Sequence, residues 1–392
     1  MTAALFDRTD ASFLANPYPV WQGLRDNDPL HLTANGTYLV TRHEDVTALL
    51  RDKRSGRCIP ERLVRRVAGD GDTMTSFLAS VLNMEGERHS RIRRMMLYPF
   101  TPKPVAEQRG RIGELVDHLL DRAGERFDLV ETVAGDLPIL LISDVLGLPH
   151  EDCDQLKRGI GALIDASTMF PTPEALARSD AANAFFGEYF ARMAQRHFDS
   201  PSDNLLASMA HAHREGRLSM NELSANATLA LFAGNETTTN SIGNGVLALL
   251  STPSRLDALR RDPSLIPTAV DELLRYDSPV QTTIRWINSS IELPSGKLQA
   301  RRFAEVSLAA ANRDPRAFRD ADELVLDRDP NPHVAFGHGM HLCLGLHLAR
   351  LANQIVLERL LHRYQVIEID GEPVRLASLW NRGLSKLPLR VS

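Results

Sequence analysis

One cysteine in this chain stands in a setting suited to chemistry. The run Phe336-Gly-His-Gly-Met-His-Leu-Cys-Leu-Gly345 places two glycines before Cys343 and one after it. Glycine lets a backbone approach a partner closely and adopt positive φ. The following segment, from 344 to about 364, has helical spacing, with Leu348, Leu351, Ala352 and Ile355 along one face. That spacing predicts Cys343 at a helix N-terminus, where the dipole and free N–H groups favour thiolate over thiol. A glycine-opened loop presenting one thiolate suits an axial ligand to haem iron. Three other roles compete on the residues alone. A lone cysteine is often a buried, inert small hydrophobe. His338, His341 and Cys343 could bind zinc, but a fourth ligand at familiar spacing is lacking. Cys343 could be a nucleophile, but no Cys–His–Asn context accompanies it.

A long helix is the best marked of the elements that must position this loop. Ser219-Met-Asn-Glu222 is a capping box opening an apolar run that continues to Leu250, before Pro253. At 1.5 Å per residue the run spans about 48 Å, enough to cross a whole domain. Its middle reads Leu229-Ala-Leu-Phe-Ala-Gly-Asn-Glu-Thr-Thr-Thr-Asn240. Gly234 costs such a helix about 1 kcal/mol relative to alanine, and its neighbours are polar. Helices are also expected over 105–126, with Val116, Leu119 and Leu120 on one face, and over 139–147, 151–166 and 174–198. Alternating runs at 37–41, 305–309, 364–369 and 387–391 predict strands. No repeat, low-complexity tract or linker divides the chain, so residues 1–392 are read as one mainly helical domain with small sheets.

Composition narrows the function classes. A net charge of −5 argues against a dedicated nucleic-acid binder. Cysteines at 58, 153 and 343 are too few and too scattered for a disulfide framework or a four-thiolate zinc site. No stretch approaches 18 apolar residues, and the opening residues lack a basic segment followed by an apolar core. The expectation is a cytoplasmic protein without a membrane span.

The pattern Phe-Gly-x-Gly-x-His-x-Cys-x-Gly resembles the haem-binding signature of the cytochrome P450 family. Its six fixed positions should match by chance on the order of once per million chains. Other motifs resembling the family follow in its order. Glu272-Leu-Leu-Arg275 is similar to the family's Glu-x-x-Arg motif, with Arg328 matching its third partner. Ala311-Asn-Arg-Asp-Pro315 and Asp327-Arg-Asp-Pro-Asn-Pro332 look like bacterial members. The resemblance runs from about Asn16 to the C-terminus.

The resemblance implies the P450 fold, with haem b (iron protoporphyrin IX) lying between the long central helix and the cysteine loop, and Cys343 as the iron ligand. It makes Phe336 and Gly345 parts of the cysteine loop, and His89, Arg93, Arg285 and His341 partners of the haem propionates. On the residues alone, His89 and Arg93 are equally a solvated basic helix face, and His341 a structural donor. Ala233-Gly234-x-Glu236-Thr237 is similar to the family's oxygen-activating motif. There Ala233 leaves room, Thr237 supplies a hydroxyl and Glu236 links to solvent. The plainer alternatives are a threonine bonded to a carbonyl one turn earlier and a structural salt bridge.

The implied activity is a monooxygenase that inserts one atom of O2 into a mainly apolar small organic substrate by hydroxylation or epoxidation. An oxidative coupling enzyme on the same scaffold, or a haem protein without turnover, are the alternatives. No flavin or nicotinamide fingerprint is present, so electrons are expected from a separate ferredoxin and ferredoxin reductase driven by NAD(P)H. Arg91, Arg94, Arg109, Arg111 and Arg350 are candidates for a basic docking patch. Phe232, Ala233, Val280 and Thr283 are the expected substrate contacts, with the 58–83 loop, residues 165–185 and the 379–383 turn nearby. One departure is notable: Arg301 stands where bacterial relatives often carry glycine.

Overall fold

The computed structural model describes residues 10–392 apart from 168–170, 200–202 and 379. Residues 1–9, used above in the search for a targeting segment, lie outside the described set. So do 168–170 of the stretch 165–185 and the first residue of the 379–383 turn. Among the described residues the chain is mainly helical with small sheets. No helix among them is long and apolar enough to cross a membrane. The chain's helices include α1 (His43–Arg51), α2 (Gly86–Leu97), α3 (Met220–Leu250), α4 (Ile266–Tyr276) and α5 (Leu346–Arg363). Five strands form one sheet: β1 (Leu30–Leu32), β2 (Tyr38–Val40), β3 (Ser55–Gly56), β4 (Thr282–Ile287) and β5 (Phe303–Ser307).

Packing divides the chain into two compact units drawn from interleaved segments. The first comprises Met1–Gly56, Gly110–Gly135 and Thr237–Ser392; the second comprises Arg57–Arg109 and Asp136–Glu236. Helix α3 thus belongs to the second unit as far as Glu236 and to the first from Thr237.

In the first unit the strand order is β1-β2-β5-β4-β3. Only β2 and β5 run parallel, with Tyr38 opposite Ala304 and Val40 opposite Val306. Residues 38–40 are all buried, as befits a strand covered on both faces. The core beneath gathers Val40, Val46, Leu49, Ile287, Val306 and Val334. The strand expected over 305–309 stops at Ser307. There the Ser307 hydroxyl accepts the Ala310 N–H at 3.1 Å and caps the short helix Leu308–Asn312. Three consecutive alanines favour that helix, so local propensity ends the strand. The C-terminal strand Pro388–Val391 pairs with Ile367–Ile369 and with Arg126–Asp128.

Behind the sheet, α4 carries a fully buried ion cluster. The Arg275 guanidinium donates to both oxygens of Glu272, at 2.7 and 2.8 Å. Arg328 Nε donates to Glu272 Oε2 at 2.9 Å, so the three residues anticipated from sequence meet. Arg275 also donates to the carbonyls of Asn312, Ala321 and Glu323. The cluster thereby fixes the chain that leads into the cysteine loop.

In the second unit the capping box is formed as expected. The Glu222 N–H donates to Ser219 Oγ, and the Ser219 N–H donates to Glu222 Oε2, both at 3.1 Å. One turn on, buried Asn226 accepts the Val81 N–H at 2.8 Å and donates to the Ala79 carbonyl at 3.1 Å. The segment 58–83 is not a plain loop: it contains helices Glu61–Ala68 and Asp72–Ala79. The second begins where Asp180, distant in sequence, accepts the Thr73 N–H at 2.8 Å. A Cβ on Gly234 would lie 3.4 Å from Ile142, so glycine eases the approach of that neighbouring helix to α3.

Candidate active site

The cysteine loop is a sequence of tight turns. Gly337 and Gly339 sit at φ of 71° and 73°, left-handed conformations open to glycine at little cost. The Leu342 N–H donates to the Gly339 carbonyl at 3.1 Å, and the Cys343 N–H to the Phe336 carbonyl at 3.0 Å. Helix α5 starts only at Leu346, with Gly345 at its cap. Cys343 therefore precedes the helix rather than opening it, and its own N–H closes the loop.

The loop rests on the last turn of α1. A Cβ on Gly339 would fall 2.3 Å from the Leu50 carbonyl oxygen, so only glycine fits there. Arg51 Nε donates to His338 Nε2 at 2.9 Å. Burial, and then the charge of Arg51, lowers the His338 pKa, so the ring stays neutral and can accept that bond. On the far side of the loop, the Arg350 guanidinium lies 4.9 Å over the Phe336 ring and donates to Asp271 at 2.6 Å.

The three cysteines differ in ways that decide their chemistry. Cys343 is exposed at the loop. Cys153 is 7% exposed, opens a helix and lies 3.6 Å from the Ser143 hydroxyl. Burial pushes its thiol up, away from thiolate. Cys58 is exposed, but burial and then Glu85 raise its pKa as well.

Apart from His341 in the loop itself, the remaining expected residues of the first unit lie on β4, beside it and on α3. On β4, Thr283 and Arg285 are two apart and so share a face. Arg285 is only 4% exposed; its Nη1 donates to the Ile284 carbonyl at 2.9 Å and to Thr283 Oγ1 at 3.4 Å. Val280 is half-buried, as is His341. Thr237, half-buried on α3, is one turn before Ser241. The Ser241 hydroxyl accepts from Asn353 of α5 at 2.9 Å, which ties α3 to the helix following the cysteine. In the second unit, His89 is 2% exposed and shares a face of α2 with half-buried Arg93. Burial first, and then Arg93, lowers the His89 pKa. Phe232 and Glu236 are half-buried, whereas Ala233 is exposed although it lies in the middle of α3.

This donor set suits a haem. An exposed sulfur sits between Gly337 and Gly345, where an added methyl would meet no atom within 4 Å. A flat macrocycle needs such an unobstructed face, and its propionates need guanidinium or imidazole donors. By contrast, no group of three or more His, Cys, Asp or Glu among the described residues could hold a metal ion, which leaves the zinc alternative without a site. Sequence reasoning missed Arg51, Asn353 and Ser241, whose partners are far off in the chain. It passed close to Asn312, which lies within the stretch 311–315 and accepts the Val334 N–H at 2.7 Å just before the loop.

A family model described as Cytochrome P450 matches residues 174–391, more than half of the chain. The chain belongs to the cytochrome P450 family. This P450 is 37% identical to cytochrome P450 107B1 of Saccharopolyspora erythraea over 91% of its own length and 90% of the relative's. It is 36% identical to the vitamin D(3) 25-hydroxylase of Pseudonocardia autotrophica, covering 98% and 96% of the two chains. Among solved structures it matches CalO2 with a TM-score of 0.94 at 32% identity, covering 99% and 98%. It is an oxidoreductase of the monooxygenase class whose cofactor is haem held by a cysteine thiolate. Three of the five arginines in the expected patch have carboxylate partners. Arg91 pairs with Glu222, Arg111 with Glu114 and Arg350 with Asp271.

Proposed function

We propose that this P450 inserts one oxygen atom into a mainly apolar molecule of secondary-metabolite or xenobiotic type, by hydroxylation or epoxidation, with Cys343 as the haem ligand. The observation that carries the assignment is the contrast between cysteines: Cys343 is exposed in a glycine-lined loop, while Cys153 is buried. Cys343 also lies inside the matched span 174–391, which excludes Cys58 and Cys153. When bound, the haem supplies the redox-active iron that activates dioxygen.

The chain's own residues do the rest. His341 and Arg285, with His89 and Arg93 of the second unit, are assigned to the propionates, because guanidinium and imidazole donors make strong bonds to carboxylates. Phe336 and Gly345 flank the sulfur. Glu236 exchanges protons with solvent, and the Thr237 hydroxyl hands them on; Ala233 keeps the neighbouring space clear. Phe232, Ala233, Val280 and Thr283 offer apolar surface and one hydroxyl to the substrate, which favours an apolar molecule with few hydrogen-bonding groups. A ferredoxin, reduced by its NAD(P)H-dependent reductase, supplies the electrons.

Optical spectra of two variants test the ligand. Cys343→Ala should lose the thiolate-type spectrum of the reduced carbon monoxide complex, and Cys153→Ala should keep it. The opposite pattern would overturn the assignment. With a ferredoxin pair and a turned-over substrate, Thr237→Ala should keep the spectrum but divert reducing equivalents to hydrogen peroxide. Unchanged coupling would remove Thr237 from proton delivery.

A further inference from the structure

The first unit carries a cavity of about 520 Å3 that none of the residues assigned above lines. Its walls are the last turns of α3, the end of α4, residues near Tyr18, and the chain at Arg375 and Arg382. The volume is within the ordinary range for small-ligand sites. Its side-chain chemistry is unusual: Arg255, Arg313, Arg375 and Arg382 face only two carboxylates, Asp277 and Asp322.

Both carboxylates are already committed. Asp277 Oδ1 accepts from the Tyr18 hydroxyl at 2.8 Å and from Arg382 Nε at 2.7 Å, and its Oδ2 accepts from Arg375 at 3.1 Å. Asp322 accepts from Arg313 at 3.1 Å. Arg313 is further held between two aromatic rings, 4.3 Å from the Tyr18 centroid and 3.8 Å from that of Tyr276. With Glu323 beside Arg255 as a third carboxylate, a surplus of one positive charge sits on this framework.

Two of the arginines keep donors for a guest. A guanidinium has five N–H groups. Arg375 spends two, on Asp277 and on Asn244 Oδ1 at 2.7 Å. Arg255 donates to Thr252 Oγ1 at 3.0 Å and lies 3.6 Å from exposed Glu323. Guanidinium forks lining one cavity can match the oxygens of a phosphate or carboxylate. We propose that this cavity binds a compact organic dianion, a phosphate monoester or a dicarboxylate, held by Arg255 and Arg375 at a site separate from the oxidation chemistry.

Calorimetric titration of the haem-loaded protein with inorganic phosphate and with malonate, at constant ionic strength, tests this. Saturable binding of either anion is expected, weakened at least tenfold in Arg255→Gln while the haem spectrum stays unchanged. Arg255 is the variant of choice because Arg375 also supports Asp277. Saturation by phosphate alone, or by malonate alone, identifies the source of the dianion. The proposal is overturned by no saturable binding of either anion, by an equal response to chloride, or by unaltered affinity in Arg255→Gln.

Discussion

Replacing Glu272 by glutamine is the most searching perturbation of the framework behind the cysteine loop. The Glu272 carboxylate is fully buried and accepts five hydrogen bonds. Two come from Arg275, one from Arg328, one from Asn331 at 3.3 Å and one from the Val325 N–H at 2.8 Å. Glutamine keeps the shape but removes the charge, leaving two guanidinium groups without a counter-ion. Its NH2 group would also point at donors. Losing one partner of a buried pair costs about 3–5 kcal/mol, because the remaining charge is desolvated and unpaired. A loss of that size should lower the urea midpoint by roughly 1 M for a chain this long. The assay is urea unfolding of the haem-loaded protein followed by far-ultraviolet dichroism, with the haem band recorded in parallel. Arg275→Met should cost at least as much, because three carbonyls lose their donor along with Glu272. A glutamine variant within about 1 kcal/mol of the parent would refute the claim that this cluster anchors the chain entering the loop.

Three further outcomes are expected. Arg301 sits at φ 60°, so Arg301→Gly should stabilise the protein by about 0.5–1 kcal/mol, the left-handed penalty less the added freedom of the unfolded glycine, read from thermal melts. Gly339→Ala should cost about 2–4 kcal/mol and lower haem content, since its methyl meets the Leu50 carbonyl oxygen at a positive φ. Asp277 is pushed up by burial, but Arg382, Arg375 and the Tyr18 hydroxyl outweigh this and hold its pKa below the usual carboxylate range. A depressed folded pKa contributes stability that is present at neutral pH and lost as pH falls below about 4. The stability gap between the parent and Asp277→Asn should therefore hold from about pH 5 to about pH 8 and shrink in acid.

What the sequence made legible is what local spacing encodes. The capping box and apolar run mark α3 within one residue of its start, and the two glycines before Cys343 fall at positive φ as their positions suggest, whereas Gly345 does not. Glu272, Arg275 and Arg328 meet as the family resemblance implied. What was hidden depends on partners remote in the chain. The helix Asp72–Ala79 starts against Asp180, and the cysteine loop is seated on Leu50 and Arg51, neither of which carries a local signal. Arg301 is the converse case: an unexpected residue type at a position whose backbone still adopts the conformation glycine prefers.

Helix α3 runs unbroken for 31 residues from its capping box to Leu250. Each residue in such a rod turns the next by about 100°. Deleting one residue between the cap and Gly234 would leave the helix intact but swing Glu236 and Thr237 away from the direction they now face. Surface connections elsewhere can grow or shrink without that consequence. In this rod, length is azimuth, and the number of residues before the acid and the alcohol sets where their oxygens point.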